Sequence, residues 1–509
     1  MKTGAVFFEL MSTCKNEIAD IRPMNRKTNI IIGALAVVFG IYVVLRAWLI
    51  PVTVDESSTA ISHVPRAFFD TLFFKSDANP NNHILNTLLI KGLTGVFGWH
   101  PMVFRLPVLF GALAYAWAGS LLCRQISKSS WVQVFTFAVL LGQPYCLEFF
   151  SVARGYGLGM GLMMVSIWQS WKFINQGHQA KHLALAATFA GFAVYANFTL
   201  LLFYVPIIGL TFLSAKQSSS SFSTFWQKTW PAVSILSVFT ALLYTPLSRL
   251  SKHSELKNWN KLESLFNSAE KSMRTAIHKS PFLENDGAHI LAWLGVLFTV
   301  GIIYVTLNRW VEKNRNLAAD PRIFLVALLA GALVTNVVQV EITHTPYLEP
   351  RLALFYWPLF ALALGVAASW LQERSNTWAW GMMAPILALS IINLGRCVNL
   401  RESFEWWHDQ DTYLVFDYLK KAKEAEGRQT PYTLDATWLL LNSLMYHVEK
   451  DPRGFNQVAQ LAPWHSDRPP AYEYEYFYAM SPETAQPILD RYEIVLRSPH
   501  SCMVLLRRK

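Results

Sequence analysis

The chain is patterned as a series of apolar runs separated by short polar segments. A helix needs about 20 apolar residues to cross the hydrocarbon core of a membrane, and runs near this length recur between residues 30 and 394. We predict eleven spans, at Ile30–Ile50, Phe104–Cys123, Trp131–Phe149, Gly157–Phe173, His182–Ala196, Leu200–Leu213, Pro231–Leu247, Ile290–Leu307, Ile323–Val340, Leu352–Leu371 and Trp378–Leu394.

The stretch from Ile84 to Gly98 is apolar but short, and it contains Lys91. We predict a juxtamembrane or re-entrant helix near the membrane interface here, not a span. If it spans instead, every later side assignment is reversed. Every short loop on one side then carries a basic residue, as the positive-inside rule requires of cytosolic loops. Residues 1–29 are therefore predicted to be cytosolic, and residues 51–103, 248–289 and 341–351 form outer loops. The basic residues are Arg124, Lys128, Lys172, Lys181, Lys216, Lys228, Arg309, Lys313, Arg315, Arg322 and Arg374.

The loop 248–289 contains apolar residues at near-helical spacing, which predicts an amphipathic helix on the membrane surface. These residues are Trp259, Leu262, Leu265 and Phe266. After Gly395 the spans end, and residues 396–509 are predicted to form a small extracytoplasmic α/β domain. We predict helices at Asp411–Ala425, Thr437–Val448 and Pro482–Tyr492, and strands at Pro431–Asp435, Tyr472–Tyr478, Glu493–Arg497 and Cys502–Leu506.

The composition agrees with this fold class, a polytopic α-helical membrane protein with a small C-terminal domain. Hydrophobic residues make up 53% of the chain and charged residues only 15%, which is unlike a soluble globular protein. The net charge of +10 does not indicate nucleic-acid binding, because the basic residues lie between apolar runs. The five cysteines show no metal-ligand spacing. Cys397 and Cys502 both fall on the predicted outer side, which permits a disulfide between them.

Polar residues that are unusual beside a membrane collect on the predicted outer face. Asp55 and Glu56 directly follow the first span. They read either as the N-cap and first-turn acid of a helix or as catalytic carboxylates at the mouth of a membrane-facing cavity. The other polar residues of this face are Asp77, Asn81, Asn82, His83, Arg154, Tyr156, Asn197, His344, Tyr347, Glu349 and Arg351.

A carboxylate, two arginines and a histidine at one membrane face suit a reaction on a phosphate-bearing lipid. The carboxylate can take the proton of an acceptor hydroxyl, and arginine can hold a phosphate through two N–H groups. Other readings stay open. Arg154 and Arg351 also fit snorkelling to headgroups, Glu349 and Arg351 fit a mutual ion pair, and the glycines at 155, 157, 159 and 161 fit helix packing. His83 fits a helix start better than a metal ligand, and no metal site is predicted.

Five motifs follow one another along the membrane region. They are Val-Asp55-Glu56, Asn82-His83-Ile-Leu-Asn, Gly98-Trp-His-Pro-Met-Val-Phe-Arg105, Ala-Arg154-Gly-Tyr156, and Glu349-Pro-Arg351 with Pro358. In their order and spacing these motifs resemble the GT-C class of polytopic glycosyltransferases. The resemblance is closest to bacterial relatives of protein O-mannosyltransferases and lipid A aminoarabinose transferases, and it covers most of the membrane region.

The resemblance implies an enzyme of the bacterial inner membrane that transfers a sugar from a polyprenyl-phosphate carrier to a hydroxyl of a lipid, glycan or protein acceptor. It implies that Asp55 is the catalytic base, with Glu56 as the second candidate for that role. Two motifs depart from the family pattern. Pro350 separates Glu349 from Arg351, and Leu352 replaces the family's aromatic residue. In the first loop, Asn81-Asn82-His83-Ile84 stands where the family has His-Pro-Pro, which indicates a distinct subgroup and leaves the substrate open. The residues predicted to bind substrate are Asn82, His83, Arg154, Tyr156, His344, Glu349 and Arg351.

Two other functions are compatible with parts of the pattern. A transporter or flippase for a lipid-linked or anionic solute would normally show repeated halves with polar groups near mid-span, and we find no such repeat. A membrane-anchored scaffold leaves Asp55 and Glu56 unexplained. No cofactor is predicted, although a divalent cation bridging Asp55 and a substrate phosphate stays open.

Overall fold

A computed structural model describes residues 25–75, 81–250, 264–277, 286–463 and 474–509. The predictions for Asp77, Trp259, Leu262 and residues 1–24 lie outside these ranges. The helices of the membrane region are α1 Arg26–Leu49, α2 Val54–Ser58, α3 Phe68–Leu72, α4 Ile84–Phe97, α5 Pro101–Ile126, α6 Ser130–Leu141, α7 Pro144–Phe149, α8 Gly155–Asn175, α9 Ala180–Ala196, α10 Leu201–Gln217, α11 Phe222–Leu250, α12 Leu265–Ala276, α13 Asp286–Glu312, α14 Arg322–Thr343, α15 Tyr356–Arg374 and α16 Asn376–Cys397.

The predicted class, a polytopic helical membrane protein, is confirmed. Seven of the described helices are long and apolar enough to cross a membrane, so the count of eleven spans stays a prediction. The predicted span Trp131–Phe149 is wrong as one helix, because the chain breaks between α6 and α7. Gly142 ends α6, Pro144 opens α7, and the Gln143 side chain accepts a hydrogen bond from the backbone of Cys146. The predicted span from Leu352 begins later, at Tyr356.

Helix α8 is packed on all sides, and its glycines allow this. A methyl group on Gly161 would lie 2.2 Å from the carbonyl oxygen of Gly111 in α5, and one on Gly155 would lie 1.8 Å from that of Ala196 in α9. These contacts are too short for any side chain, so the backbones of α5, α8 and α9 meet directly. The glycine spacing of α8 therefore serves helix packing.

A small sheet domain follows the last apolar helix. Its elements are α17 Thr412–Ala425, β1 Tyr432–Ala436, α18 Trp438–Glu449, β2 Ala459–Leu461, β3 Tyr476–Ala479, α19 Pro482–Ala485, β4 Tyr492–Arg497 and β5 Val504–Arg508. The sheet order is β2-β1-β3-β5-β4, parallel between β1 and its two neighbours and antiparallel in the rest. Strand β2 was not predicted, and the predicted helix Pro482–Tyr492 is shorter, since Tyr492 begins β4.

The sheet domain packs on the loop that follows α1, through α18. The Asn442 side chain donates to the Val54 carbonyl at 3.3 Å, and the Ser57 hydroxyl donates to the Asn442 carbonyl. The Tyr446 ring packs against the rings of Trp99 and Phe104. The permitted disulfide is not formed: Cys397 at the end of α16 is buried, whereas Cys502 before β5 is exposed.

Candidate active site

Asp55 lies on α2, directly after the chain leaves the first long helix. A capping box begins α2: the Thr53 hydroxyl accepts from the backbone of Glu56, and the Glu56 side chain accepts from the backbone of Thr53. The Asp55 carboxylate remains 17% exposed, and its Oδ2 lies 3.5 Å from Arg154 and 3.7 Å from Arg351. Three distant parts of the sequence therefore meet at this carboxylate.

The two arginines beside Asp55 are held very differently. The Arg154 side chain is 1% exposed, and its guanidinium donates to the Asp55 carbonyl at 3.3 Å, to the Thr59 hydroxyl at 3.2 Å and to the Asn81 side-chain oxygen. The Arg351 side chain is 25% exposed. Arg154 is thus fixed by several bonds, whereas Arg351 lies at the edge of the group.

Glu56 points into a separate, fully buried network. Its carboxylate accepts two hydrogen bonds from Arg105, at 2.8 and 2.6 Å, and one each from the backbone of Thr53 at 2.9 Å and Ala153 at 2.5 Å. Burial raises the pKa of Glu56, but Arg105 and these hydrogen bonds outweigh it and hold the pKa below its ordinary value. The predicted second carboxylate is therefore ionised and engaged away from Asp55.

His83 and Tyr156 lie together beside the arginines. Their rings are 4.8 Å apart in an edge-to-face arrangement. Burial and the nearby positive charge of Arg154 hold the pKa of His83 well below its ordinary value, so the imidazole is neutral. Its Nε2 has no hydrogen-bond partner among the described residues. Asn82 instead accepts a hydrogen bond from Thr87 at 2.8 Å and supports the first turn of α4.

The three predicted site residues of the segment before α15, His344, Glu349 and Arg351, lie in three different places. Arg351 faces Asp55, whereas Glu349 forms an ion pair with Lys271 of α12 at 3.2 Å. The mutual pair of Glu349 and Arg351, one reading of the sequence, is therefore not the arrangement found. His344 ends α14 in a left-handed conformation, with φ 52°, and is exposed. Of the three residues, only Arg351 joins the group around Asp55.

The sequence analysis missed a contribution from the start of the C-terminal region. Asp409 accepts a hydrogen bond from the backbone of Val54 at 2.8 Å and so holds the first turn of α2. His408 is buried beside it, with 3.6 Å between its Nε2 and Asp409 Oδ2. Glu405 accepts a hydrogen bond from the Tyr145 hydroxyl of α7. The run Glu405-Trp-Trp-His-Asp409 directly after the last span was the available signal.

Burial shifts the pKa values of Asp409 and His408 in opposite directions. It raises the pKa of Asp409 to about 8, with smaller contributions from the negative charges of Asp55 and Glu56. Burial lowers the pKa of His408 to about 4, although the Asp55 charge opposes this. Near neutral pH the pair is therefore mainly a carboxylic acid and a neutral imidazole.

This arrangement of helices is similar to that of solved structures. The crystal structure of ArnT from Cupriavidus metallidurans in the apo state aligns with a TM-score of 0.51 at 12% identity, over 94% of this chain and 97% of that one. ArnT from the same organism bound to undecaprenyl phosphate aligns with a TM-score of 0.50 at 13% identity, over the same shares.

The chain has the fold of ArnT. A weaker likeness, with a TM-score of 0.42 at 11% identity, is to the Archaeoglobus fulgidus oligosaccharyltransferase, over 92% of this chain and 72% of that one. No protein-family model and no curated protein sequence matches this chain.

Within the described ranges, no three His, Cys, Asp or Glu side chains come close enough to hold a metal ion. The groups that do meet at Asp55 are a partly exposed carboxylate, a fixed and an edge guanidinium, and a neutral imidazole. This set can accept a proton, bind an anion and hydrogen-bond a hydroxyl.

Proposed function

We propose that this protein is a glycosyltransferase that takes its sugar from a polyprenyl-phosphate carrier and passes it to an acceptor hydroxyl. The observation that carries the proposal is the Asp55 carboxylate between Arg154 and Arg351. This arrangement places a proton acceptor and an anion-binding group side by side, at one end of a helix bundle that has the GT-C fold. The ArnT structure that contains undecaprenyl phosphate supports a lipid-phosphate donor.

In the proposed reaction, the acceptor hydroxyl attacks the anomeric carbon of the donor sugar. Asp55 takes the hydroxyl proton, a bond forms between the acceptor oxygen and the anomeric carbon, and the bond from that carbon to the phosphate oxygen breaks. The lipid phosphate leaves with the bonding electrons. One displacement of this kind inverts the anomeric configuration.

The two arginines have different proposed duties. Arg154 is buried and fixed by bonds to α2 and Asn81, so it orients Asp55 and contributes a constant positive charge. Arg351 is partly exposed at the edge of the group, so it can turn from Asp55 to the entering phosphate. This exchange would leave the carboxylate free to accept the proton.

His83 and Tyr156 are proposed to contact the sugar or the phosphate. The neutral His83 imidazole has an Nε2 without a described partner, so it can hydrogen-bond a substrate oxygen without adding charge. Glu56, by contrast, is proposed to be structural, because four hydrogen bonds already occupy its carboxylate. The exposed His344 and the Lys271-paired Glu349 are proposed to lie outside the reacting group.

The proposal is tested by mass spectrometry of the lipid that co-purifies with the protein in detergent. Wild type, Asp55→Asn and Asp70→Asn are compared, since Asp70 is a carboxylate of the same loop, on α3. A polyprenyl-phosphate sugar that accumulates only on Asp55→Asn supports the transferase. A bound soluble solute with no polyprenyl lipid on any variant would instead favour the transporter. Assays with and without EDTA decide whether a divalent cation takes part.

The side of the membrane is a further part of the proposal. Cys502 is exposed, whereas Cys123, Cys146 and Cys397 are buried. In spheroplasts of a bacterial host, a membrane-impermeant maleimide should therefore label a Cys14→Ser variant at Cys502. Labelling only after the membrane is opened would place the C-terminal domain in the cytosol and contradict the proposed orientation.

A further inference from the structure

A large cavity opens at the end of the helix bundle opposite Asp55. Its volume is about 1040 Å³, and the ends of α5, α8, α13 and α15 and the starts of α6 and α14 line it. Helix α8 begins beside Arg154 and ends in this cavity after 21 residues, a length of about 32 Å at about 1.5 Å per residue. The cavity is thus separated from the candidate active site by about one hydrocarbon thickness.

The lining of this cavity carries an excess of positive charge. Five basic and two acidic side chains line it. The two acids, Asp320 and Glu373, form ion pairs with Arg309 and Arg322. Arg322 pairs with Asp320 at 2.8 Å, and Arg309 pairs with Glu373 at 3.1 Å. The remaining basic residues are Lys128, Lys172 and Lys313. The lining therefore has three net positive charges.

Two buried tryptophans, Trp168 and Trp171, form an apolar wall beside these charges. The indole N–H of Trp168 has no acceptor among the described residues, although buried indole donors usually find a partner. The volume is that of a small-molecule site. A site with excess positive charge, an apolar wall and a buried donor suits a ligand with an anionic head and an uncharged part.

The positive-inside rule alone accounts for lysines near this membrane face, but it does not require a cavity of this size. Lys181 provides the comparison, because it lies exposed at the start of α9 and does not line the cavity. If only the positive potential of the basic loops attracted an anion, Lys181 would contribute to binding as much as Lys128 or Lys313. If the cavity is a defined binding site, only the residues that line it would contribute.

We propose that this cavity binds a phosphate-bearing anion, either the headgroup of an anionic lipid or a soluble phosphate compound. The proposal does not depend on the proposed transferase function, since the two sites lie at opposite ends of the bundle.

Binding is measured on the full-length protein in a neutral detergent with two probes. Inorganic pyrophosphate is titrated and followed by the thermal unfolding midpoint, and phosphatidylglycerol is added after delipidation and counted by native mass spectrometry. The variants are Lys128→Glu/Lys313→Glu, the charge-conserving Lys128→Arg/Lys313→Arg, and Lys181→Glu. Both glutamate-substituted lysines are exposed at the cavity mouth, so the fold should survive, and unfolding without probe checks this.

Wild type should bind at least one probe, and the double glutamate variant should bind it at least about tenfold more weakly. The double arginine variant and Lys181→Glu should keep the wild-type affinity. Binding of pyrophosphate alone identifies a soluble phosphate as the ligand class, and binding of phosphatidylglycerol alone identifies a lipid headgroup; binding of both supports the shared phosphate chemistry. The proposal is overturned if neither probe binds, or if Lys181→Glu weakens binding as much as the double glutamate variant.

Discussion

Replacing each of the neighbouring carboxylates Asp55 and Glu56 by its amide is expected to impair the protein in a different way: the Asp55 variant loses activity, and the Glu56 variant loses stability. The Glu56→Gln change acts inside a network in which both Glu56 and Arg105 have fully buried side chains. It removes the only acidic partner that the described residues give Arg105 and turns one acceptor into a donor that faces other donors. The expected result is a loss of stability.

The size of that loss follows from the burial of the pair. Breaking a buried ion pair by removing one partner costs about 3–5 kcal/mol, because the remaining charge stays buried without compensation. Arg105 keeps its bonds to the carbonyls of Ala47, Ile50 and Pro51, so the lower part of this range is expected. The thermal unfolding midpoint in detergent should fall by about 3 °C, because the unfolding entropy of a chain of 509 residues is about 1.1 kcal/mol per degree.

The matched change Asp55→Asn should leave the midpoint nearly unchanged. Its carboxylate is partly exposed, its ion pairs are 3.5 and 3.7 Å long, and the buried Arg154 keeps its hydrogen bonds to Thr59 and Asn81. The cost should therefore be about 1–2 kcal/mol, between that of an exposed pair and that of a fully buried one. Transfer should fall by about 10²–10⁴-fold with the loss of the base. In Glu56→Gln, the protein that remains folded should retain transfer.

A double-mutant cycle adds a control on the magnitude. Glu56→Gln and Arg105→Met together remove both charges, so the double variant should lose less stability than the two single losses combined. The assignment fails if Glu56→Gln unfolds at the wild-type midpoint but lacks transfer. It also fails if Asp55→Asn is strongly destabilised while its folded fraction remains active.

Three further predictions follow from single contacts. Arg351→Gln should raise the KM for the lipid donor by about 10- to 100-fold, the worth of a charge-assisted hydrogen bond, with an unchanged unfolding midpoint; an unchanged KM would remove Arg351 from the phosphate site. Because burial raises the pKa of Asp409 to about 8, its folded-state proton is lost as pH rises. Between pH 7 and 8, where histidines are mostly neutral in both the folded and the unfolded state, stability should therefore fall with a slope of up to about 1.4 kcal/mol per pH unit from this group. Denaturant unfolding of Asp409→Asn should show a flatter pH profile, and an identical profile would contradict the raised pKa. Gly161→Ala should destabilise the protein by about 1–3 kcal/mol, since its new methyl group would lie 2.2 Å from the Gly111 carbonyl oxygen. Gly209→Ala, whose methyl group would have nothing within 4 Å, should not destabilise it. Equal unfolding midpoints for the two variants would refute the direct backbone contact.

The membrane region was largely predictable because lipid imposes simple lengths on helices. The short apolar run before Gly98 was predicted as an interfacial helix from its length and from Lys91. The structure has a 14-residue helix there, and the Lys91 ammonium donates to the carbonyls of Val64 and Arg66 at 2.9 and 2.8 Å. A lysine in an apolar run thus indicated a helix with polar neighbours nearby.

The break in the third predicted span was missed because a local sequence signal was misread. Gly142-Gln-Pro144 combines a residue that ends helices with one that starts them, and the apolar pattern on both sides concealed it. The edge strand β2 was missed because three residues give too little alternation to recognise.

The composition of the site depended on long-range pairing, which a local pattern does not contain. Glu56 could not be separated from Asp55 until Arg105, 49 residues away, was seen to occupy it. Asp409 reaches Val54 across 355 residues, and nothing at either position indicated the other. The resemblance supplied Asp55 as a candidate, and the structure added the groups that surround it.

The most direct test of the central proposal is the release of free polyprenyl phosphate by the purified protein. Protein in detergent is incubated with a sugar-loaded polyprenyl phosphate and a total extract of bacterial membranes, which supplies acceptors, and the lipid products are measured by mass spectrometry. The account predicts release by wild type and by Asp70→Asn, and about 10²–10⁴-fold slower release by a folded Asp55→Asn. Equal release by wild type and Asp55→Asn would contradict it.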